Sequence, residues 1–230
     1  MLPPELLRNV ATGGWLSATP PRFRDLVLDR AVVRRYGPRE VLHEAGDESG
    51  GMYGVAAGTI RLMLSAVDHG PYCGHLLRPG SWAGDVGAIT GGARLGGLIS
   101  SGESVVLYLA RAAITGIVAE DPACWRHFVA GTMINLNTAF GAIADLMLRD
   151  HRKRLVAVLL RAAGARSEMP PVERTIEVDL SQADIATMAN VTRTTAGATL
   201  RRFEQAGLLK TGYGKVTILS PARLRRMLME

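Results

Sequence analysis

Residues 181–207 constrain the fold most, because they carry the start and stop signals of two short helices almost back to back. Ser181 is a favoured N-cap residue, and Asp184 places a carboxylate where the free N–H groups of a first helical turn favour negative charge. The sequence departs from a strict capping box here, since Asp184 stands where that motif has Glu or Gln. Asn190 and Val191 then predict a tight turn.

A second helix is predicted directly after this turn. Thr192 is its N-cap, and Gly207 ends it because glycine readily adopts a positive φ. Two short helices joined by so brief a turn form a helix-turn-helix. Residues 208–219 then predict two short strands around Gly212-Tyr213-Gly214, a hairpin that we call the wing, and Ser220-Pro221 starts a last helix. A small protein-interaction domain of the same shape is the alternative.

Positive charge is concentrated in the C-terminal third of the chain. The whole chain carries 27 Lys and Arg against 21 Asp and Glu. Residues 151–230 contribute 14 of those cations and 7 of the anions, so the first 150 residues are close to neutral. This asymmetry predicts a C-terminal unit that binds a polyanion. A basic surface that faces only solvent is the alternative that charge alone leaves open.

The first 109 residues divide into a helical start and a segment of short strands. Residues 1–30 have apolar side chains at helical spacing, interrupted by Gly13-Gly14 and Pro20-Pro21. From residue 31 to about residue 109, short apolar runs alternate with glycine and proline. That pattern predicts an all-β sandwich, roll or barrel.

A long helix with an apolar seam is predicted after Asp121-Pro122. The seam residues are spaced 4, 3, 4, 3 and 4 apart, which is the a/d pattern of a coiled coil. They are Val129, Met133, Leu136, Phe140, Ile143 and Met147. So narrow a seam favours pairing with a second copy about a two-fold axis. Packing against its own domain is the alternative.

Several classes of protein are excluded by what the sequence lacks. Two cysteines are too few for a disulfide scaffold or a four-thiolate cluster, which favours a reduced, cytoplasmic location. The longest apolar run is too short for a membrane span, and the N-terminus lacks a signal-peptide pattern. No P-loop, G-x-S-x-G or H-E-x-x-H motif is present, so we expect no catalytic residues and no enzyme.

Two Cys/His pairs are the candidate metal ligands. They are Cys73 with His75, and Cys124 with His127. The pairs lie far apart in the sequence, and nothing in it shows that they converge. We therefore expect buried thiols and ordinary histidines rather than a metal site.

The stretch Leu180 to Leu209 resembles the DNA-binding motif of the Crp/Fnr family of bacterial transcription regulators. Other positions resemble that family's cyclic-nucleotide-type β-roll, namely Glu40-Val41-Leu42, Gly46-Asp47, Tyr53, Gly58, Arg61, Pro79-Gly80-Ser81-Trp82 and Gly84-Asp85. The resemblance implies an α+β chain with a roll-type sensor domain in residues 1–120, a dimerisation helix in 121–150 and a winged helix-turn-helix domain in 151–230.

The resemblance also implies which residues bind DNA. Arg193 matches the recognition-helix arginine whose guanidinium donates to guanine O6 and N7. The remaining implied contacts are Ser181, Gln182, Thr192, Thr194, Thr195, Arg201, Arg202, Lys210 and Lys215. Thr194 replaces a frequent glutamate and Ala198 a frequent arginine of the family, so we expect a different target sequence.

The implied effector pocket contains Gly84, Asp85 and Arg94. Asp85 stands where the family usually has glutamate, and Leu95 replaces the expected Ser or Thr. Asp85 and Arg94 forming an ion pair in a degenerate roll is one interpretation. A cyclic nucleotide is thus not favoured. Another small effector is favoured over it, and the absence of any effector is the alternative that follows.

Taken together, these features predict a sequence-specific transcription regulator. It would bind a pseudo-palindromic operator in double-stranded DNA as a homodimer, with RNA polymerase and a small effector as further candidate partners and no membrane contact. The alternative is a nucleotide-binding or protein-interaction module whose helix-turn-helix is degenerate.

Overall fold

Three helices precede the first strand in this computed structural model, which describes residues 3–65, 69–166 and 174–230. They are α1 (Pro4–Thr12), α2 (Gly14–Ser17) and α3 (Pro21–Arg30). Proline at the first position of α1 and of α3 fits a helix start, where no N–H partner is needed. Gly14 has a φ of +59°, and a Cβ atom there would lie 2.1 Å from the Gly80 carbonyl oxygen. The predicted helical start and its break at Gly13-Gly14 are confirmed.

Two four-stranded antiparallel sheets follow and form a β-roll. Their strand orders are β1-β8-β3-β6 and β2-β7-β4-β5. The strands are β1 (Val32–Tyr36), β2 (Val41–His43), β3 (Met52–Ala57), β4 (Ile60–Leu64), β5 (Tyr72–Leu77), β6 (Trp82–Ala83), β7 (Gly97–Ser100) and β8 (Ser104–Leu109). One short helix, α4 (Asp85–Thr90), lies between β6 and β7. Of the three predicted all-β architectures, the roll is the one that forms.

Buried aromatic rings join the N-terminal helices to the roll. Trp15 lies at the centre, with ring centroids 5.8 Å from Phe23, 5.4 Å from Trp82 and 5.7 Å from Phe128. Edge-to-face and tilted contacts of this kind add to the burial of large apolar surfaces. A second buried group, which includes Val55, joins side chains from both sheets.

The long helix is shorter than the sequence suggested. After α5 (Arg111–Glu120) and a 3-10 turn (Pro122–Cys124), α6 runs from Trp125 to Leu146. Met147, which we placed on the helical seam, therefore lies in the turn beyond the last helical residue. Its N–H still bonds to the Ile143 and Ala144 carbonyls, at 3.3 and 3.1 Å.

The chain divides into two compact units, Met1–Thr138 and Ala139–Glu230, so the last two turns of α6 group with the C-terminal unit. The elements of that unit are α7 (His151–Ala162), β9 (Ile176–Val178), α8 (Gln182–Met188), α9 (Arg193–Gln205), β10 (Leu209–Gly212), β11 (Lys215–Ile218) and α10 (Pro221–Met229). The strands form one antiparallel sheet in the order β10-β11-β9. Within the described ranges, no helix is long and apolar enough to cross a membrane.

Candidate nucleic-acid interface

The first helix of the motif, α8, begins with a complete capping box. The Ser181 hydroxyl accepts a hydrogen bond from the Asp184 N–H at 3.1 Å. The Ser181 N–H in turn donates to Asp184 Oδ2 at 2.9 Å. The box therefore forms although aspartate stands in place of Glu or Gln. The shorter side chain still reaches back to the N-cap N–H.

The turn between the helices is held by asparagine in the left-handed region. Asn190 has a φ of +50°, which asparagine tolerates better than most residues. Its N–H bonds to the Thr187 carbonyl at 3.1 Å, and the Val191 N–H bonds to the Ala186 carbonyl at 3.0 Å. This pair of bonds is a Schellman motif, which closes α8 before α9 begins.

The second helix, α9, has the bounds that the sequence predicted. Thr192 Oγ1 accepts from the Thr195 N–H at 3.1 Å and also contacts Thr195 Oγ1 at 2.9 Å. At the other end Gly207 has a φ of +68°. Ala196, Leu200 and Phe203 are buried against the rest of the domain. The opposite face of α9 therefore lies in solvent.

Gln182 ties the two helices together, a role that the sequence did not reveal. Its Nε2 donates to the Arg193 carbonyl at 3.0 Å. A Cβ atom at Gly197 would lie 2.0 Å from that same nitrogen, so the glycine leaves room for the amide. The first residue of α9 is thus held from the start of α8.

Unpaired positive charge covers the exposed side of the motif. The side chains concerned are exposed and make no hydrogen bond or ion pair to any part of the chain that the structure describes. They are Arg193, Arg201, Arg202 and Lys210. Thr194 is exposed beside them. A polyanion can reach all four cations without first breaking a bond within the domain.

Lys215 differs from these four cations. Its Nζ lies 2.9 Å from Glu177 Oε2 on the neighbouring strand β9, and both side chains are about half exposed. The hydrogen bond and the charge of Glu177 raise the pKa of the Lys215 ammonium. The positive charge that we expected Lys215 to add is therefore largely offset by its partner.

The wing is fixed to the recognition helix by Glu204. Its Oε1 accepts from the Thr211 N–H at 2.9 Å, and its Oε2 contacts the Thr211 hydroxyl at 3.1 Å. Tyr213 stands fully exposed at the tip of the wing. No sequence pattern predicts this contact, because it depends on how the hairpin folds back onto α9.

Asp85 and Arg94, the two charged residues of the predicted effector pocket, are buried but do not pair with each other. Arg94 donates from Nη1 to the Gly84 carbonyl at 3.0 Å and from Nη2 to the Gly51 carbonyl at 2.8 Å. Asp85 Oδ1 instead accepts from Asn135 Nδ2 at 2.9 Å. The ion-pair interpretation is therefore wrong. Arg94 bonds to two backbone carbonyls, and Asp85 bonds to the side-chain amide of Asn135.

These contacts leave little for a cyclic nucleotide to bind. Arg94 is only 5% exposed, and each of its terminal nitrogens donates to a backbone carbonyl, so a phosphate could reach the guanidinium only if these surroundings rearranged. Leu95, where a hydroxyl was expected, is largely exposed. Arg94 and Asp85 each keep one buried polar atom without a partner within the described residues. These atoms are Arg94 Nε and Asp85 Oδ2. The residues do not fit a cyclic nucleotide in this arrangement.

The two cysteines are free and buried. Burial raises the pKa of the Cys124 thiol and lowers that of the His127 imidazole, which packs 4.7 Å from the Phe23 ring. Cys73 Sγ contacts the His75 carbonyl at 3.6 Å. Over residues 3–65, 69–166 and 174–230, no three His, Cys, Asp or Glu side chains converge as metal ligands would.

The apolar seam of α6 is exposed along its whole length. Its six residues are between 40% (Leu136) and 78% (Met147) exposed. Asn135, on the same helix, faces its own domain: its Nδ2 donates to the Trp82 carbonyl at 3.1 Å as well as to Asp85 Oδ1. The alternative that the seam packs on its own domain is not what the structure shows.

Comparisons with known families agree with both halves of this description. Residues 153–227 match the Crp-like helix-turn-helix domain, and residues 33–121 match the cyclic nucleotide-binding domain. No curated protein sequence matches the chain significantly.

Solved structures share the fold over most of the chain. One of them is a protein from Ruegeria pomeroyi that is provisionally named a cyclic nucleotide binding protein. It is 16% identical to this chain, with a TM-score of 0.72 and full coverage of both chains. FixK2 from Bradyrhizobium japonicum is 19% identical with a TM-score of 0.71, over 85% of this chain and 96% of its own. TTHB099, a transcriptional regulator of the CRP family from Thermus thermophilus, is 22% identical with a TM-score of 0.66, over 86% and 97%.

The order of the two matched domains on one chain is that of the regulators whose fold it shares. A cyclic nucleotide-binding-type roll, a long helix and a Crp-like helix-turn-helix follow one another here. The chain belongs to the Crp/Fnr family of DNA-binding transcription regulators.

Proposed function

We propose that the protein reads a pseudo-palindromic DNA sequence as a homodimer, with one α9 helix in each of two successive major grooves. The observation that carries this proposal is the exposed guanidinium of Arg193 at the N-terminal end of α9, which has no bonding partner among the described residues. In helix-turn-helix proteins that end of the second helix contacts base edges. The capping box, the asparagine turn and Gln182 hold the helix start in place.

Arg193 is the base-reading residue in this proposal. Its planar fork can donate to guanine O6 and N7 together, which no other base pair accepts in the same geometry. Thr194 beside it offers a hydroxyl and a methyl group in place of a carboxylate. The methyl group can contact a thymine, so the second base read differs from that of relatives with glutamate.

The other predicted contacts divide into two groups by what their side chains already do. Arg201, Arg202 and Lys210 supply sequence-independent attraction to phosphates, with a smaller share from Lys215. The remaining side chains form hydrogen bonds within the motif, and in this proposal they act mainly by holding α9 in position. They are Ser181, Gln182, Thr192 and Thr195.

The exposed apolar seam is what supports the proposed homodimer. Six large apolar side chains, five on α6 and Met147 in the turn after it, are exposed to water at a cost in free energy that pairing with the same segment of a second copy would recover. A two-fold axis along the paired helices would place two recognition helices about 34–36 Å apart, one turn of DNA. The two-fold symmetry of the protein then appears in its target.

The protein acts by binding and not by catalysis in this proposal. We propose no cyclic nucleotide effector, because Arg94 and Asp85 are already bonded to Gly51, Gly84 and Asn135. A different small effector that reaches the roll, and RNA polymerase as a protein partner, are compatible with a regulator of this kind.

Selection from a random duplex pool tests the proposal. Purified protein at about 0.15 M salt should enrich a two-fold symmetric sequence, equally with and without cyclic nucleotides. Arg193→Ala should lose that enrichment, at a cost of about 1–3 kcal/mol for a bidentate base contact. Arg202→Ala is the matched control, since it removes one exposed cation of α9 far from the helix start. If no sequence were enriched in any condition, the result would instead favour an interaction module that does not read DNA.

A further inference from the structure

Two arginine contacts in the C-terminal unit connect the end of the long helix to the helix-turn-helix. We propose that Arg154 and Asp145 are positioning residues that set the spacing between the two half-sites of the DNA target. This inference rests on the proposed homodimer. The residues that dimerise and the residues that read DNA lie on different helices, so something must fix one relative to the other.

The first contact holds the end of α6. Asp145, in its last turn, is only 5% exposed. One of its oxygens is bound by the guanidinium of Arg161 on α7, and Arg166 Nη2 lies 2.9 Å from the other. The Arg161 side chain is 9% exposed, so its charge is also removed from water. A buried pair of this kind is costly to break, because one charge would stay buried without a partner.

The second contact holds the joint between α6 and α7 and reaches the motif itself. Arg154 Nη1 donates to the Leu148 carbonyl at 2.7 Å and to the Arg149 carbonyl at 3.2 Å. Its Nε donates to the carbonyl of Ala189 at 2.9 Å. Ala189 closes α8 and directly precedes the Asn190 turn. One guanidinium thus bonds both the joint and the turn that leads into α9.

The two contacts form a continuous path within residues 139–230. Phe140 and Ile143 on the seam share the last turns of α6 with Asp145. Asp145 is bound to α7, and α7 through Arg154 is bound to the turn three residues before Arg193. A guanidinium is suited to this role, since its fixed fork of donors bridges several acceptors, whereas an ammonium is a single point.

The alternative is that these bonds only stabilise the domain. A stabilising role predicts equal losses for every DNA target, because less of the protein would be folded. A positioning role predicts that only targets with both half-sites at the right spacing lose affinity. Half-site spacing is therefore the quantity to measure.

The experiment compares duplexes that carry the selected half-sites at the natural spacing and with one or two base pairs inserted. Each inserted pair rotates one half-site by about 35° around the DNA axis, since a turn has about 10–10.5 pairs. The natural protein should bind the natural spacing at least about tenfold more tightly than the lengthened ones, a difference of about 1.4 kcal/mol. Arg154→Ala should reduce that ratio to within about threefold, and should bind a single half-site as the natural protein does.

Two further variants sharpen the test. Arg154→Lys keeps the charge and should also lose spacing discrimination, which covers the case that Arg154→Ala folds poorly. Arg152→Ala is the matched control, because Arg152 lies on the same helix but pairs with Asp150 in an exposed contact at 2.9 Å. It should keep the natural preference. Asp145→Asn, which keeps the shape of the side chain, should behave like the Arg154 variants.

The outcomes separate the two proposals. A natural protein that shows no preference for any paired half-sites would contradict the homodimer itself. Retention of the full spacing preference by both Arg154 variants would overturn the positioning role and leave the homodimer standing. Equal loss of half-site and full-site binding would also overturn it, since Arg154 would then only support the motif.

Discussion

Thr192 and Thr194 are the same residue type in two different surroundings. Comparing their alanine variants therefore shows how much the N-cap hydrogen bond itself stabilises the domain. Thr192 accepts from the Thr195 N–H at the start of α9, whereas the Thr194 side chain is exposed. We expect Thr192→Ala to lower the free energy of unfolding by about 1 kcal/mol, within the range of about 0.5–2 for lost N-caps. Urea unfolding measures it. Thr194→Ala is the control, and an equal loss in both variants would refute the capping role.

His43 makes the stability of the roll depend on pH. Burial, helped by the nearby charge of Arg94, lowers the pKa of its imidazole below the ordinary value of 6.5. The folded protein therefore takes up the proton less readily than the unfolded chain. The free energy of unfolding should be full above about pH 6.5 and should fall as the pH drops toward the folded pKa.

Thermal unfolding at about pH 7.5 and about pH 5.5 checks this expectation. The difference in Tm between the two values should be smaller for His43→Asn than for the natural protein. His127, whose pKa burial also lowers, should account for part of the remainder. An unchanged difference in the His43 variant would show that this imidazole titrates alike in both states.

At the scale of single elements, what the sequence predicts well is what local chemistry determines. The bounds of α9 depend on Thr192 and Gly207, each of which acts on backbone groups within a few residues. The partners of Arg94 were out of reach, because Gly51 is 43 positions away and is brought close only by the roll. Lys215 paired with Glu177 for the same reason, since that contact follows from how β11 lies beside β9.

The long helix offers a matched pair of residues to test the seam. Met133 and Ile134 are neighbours with nearly equal exposure, 45% and 44%, but only Met133 lies on the seam. Met133→Glu should raise the dimer Kd by about tenfold or more, because two like charges would meet in an apolar contact. Sedimentation over a range of concentrations measures the Kd.

Ile134→Glu is the control for that prediction. It adds the same charge to the same turn of the helix and should leave the Kd within about threefold of its natural value. If Ile134→Glu weakened the dimer as much as Met133→Glu, the two copies would meet on a different face of α6.

At the scale of the whole molecule, the charge distribution and the fold single out the same C-terminal part of the chain. The excess of positive charge lies in residues 151–230, and so does the helix-turn-helix. The order of roll, long helix and winged domain could be predicted, because each has its own periodicity and punctuation. The division of the chain inside α6 could not, since the helical pattern runs across it without a break.

The number of chains bound to one DNA duplex tests the central claim most directly. The measurement is native mass spectrometry or sedimentation equilibrium, with a duplex that carries both selected half-sites and a second duplex with one half-site scrambled. We predict two copies on the full site, and a large loss of affinity when one half-site is scrambled. One copy per duplex, with equal affinity for both duplexes, would contradict a homodimer that reads a two-fold site.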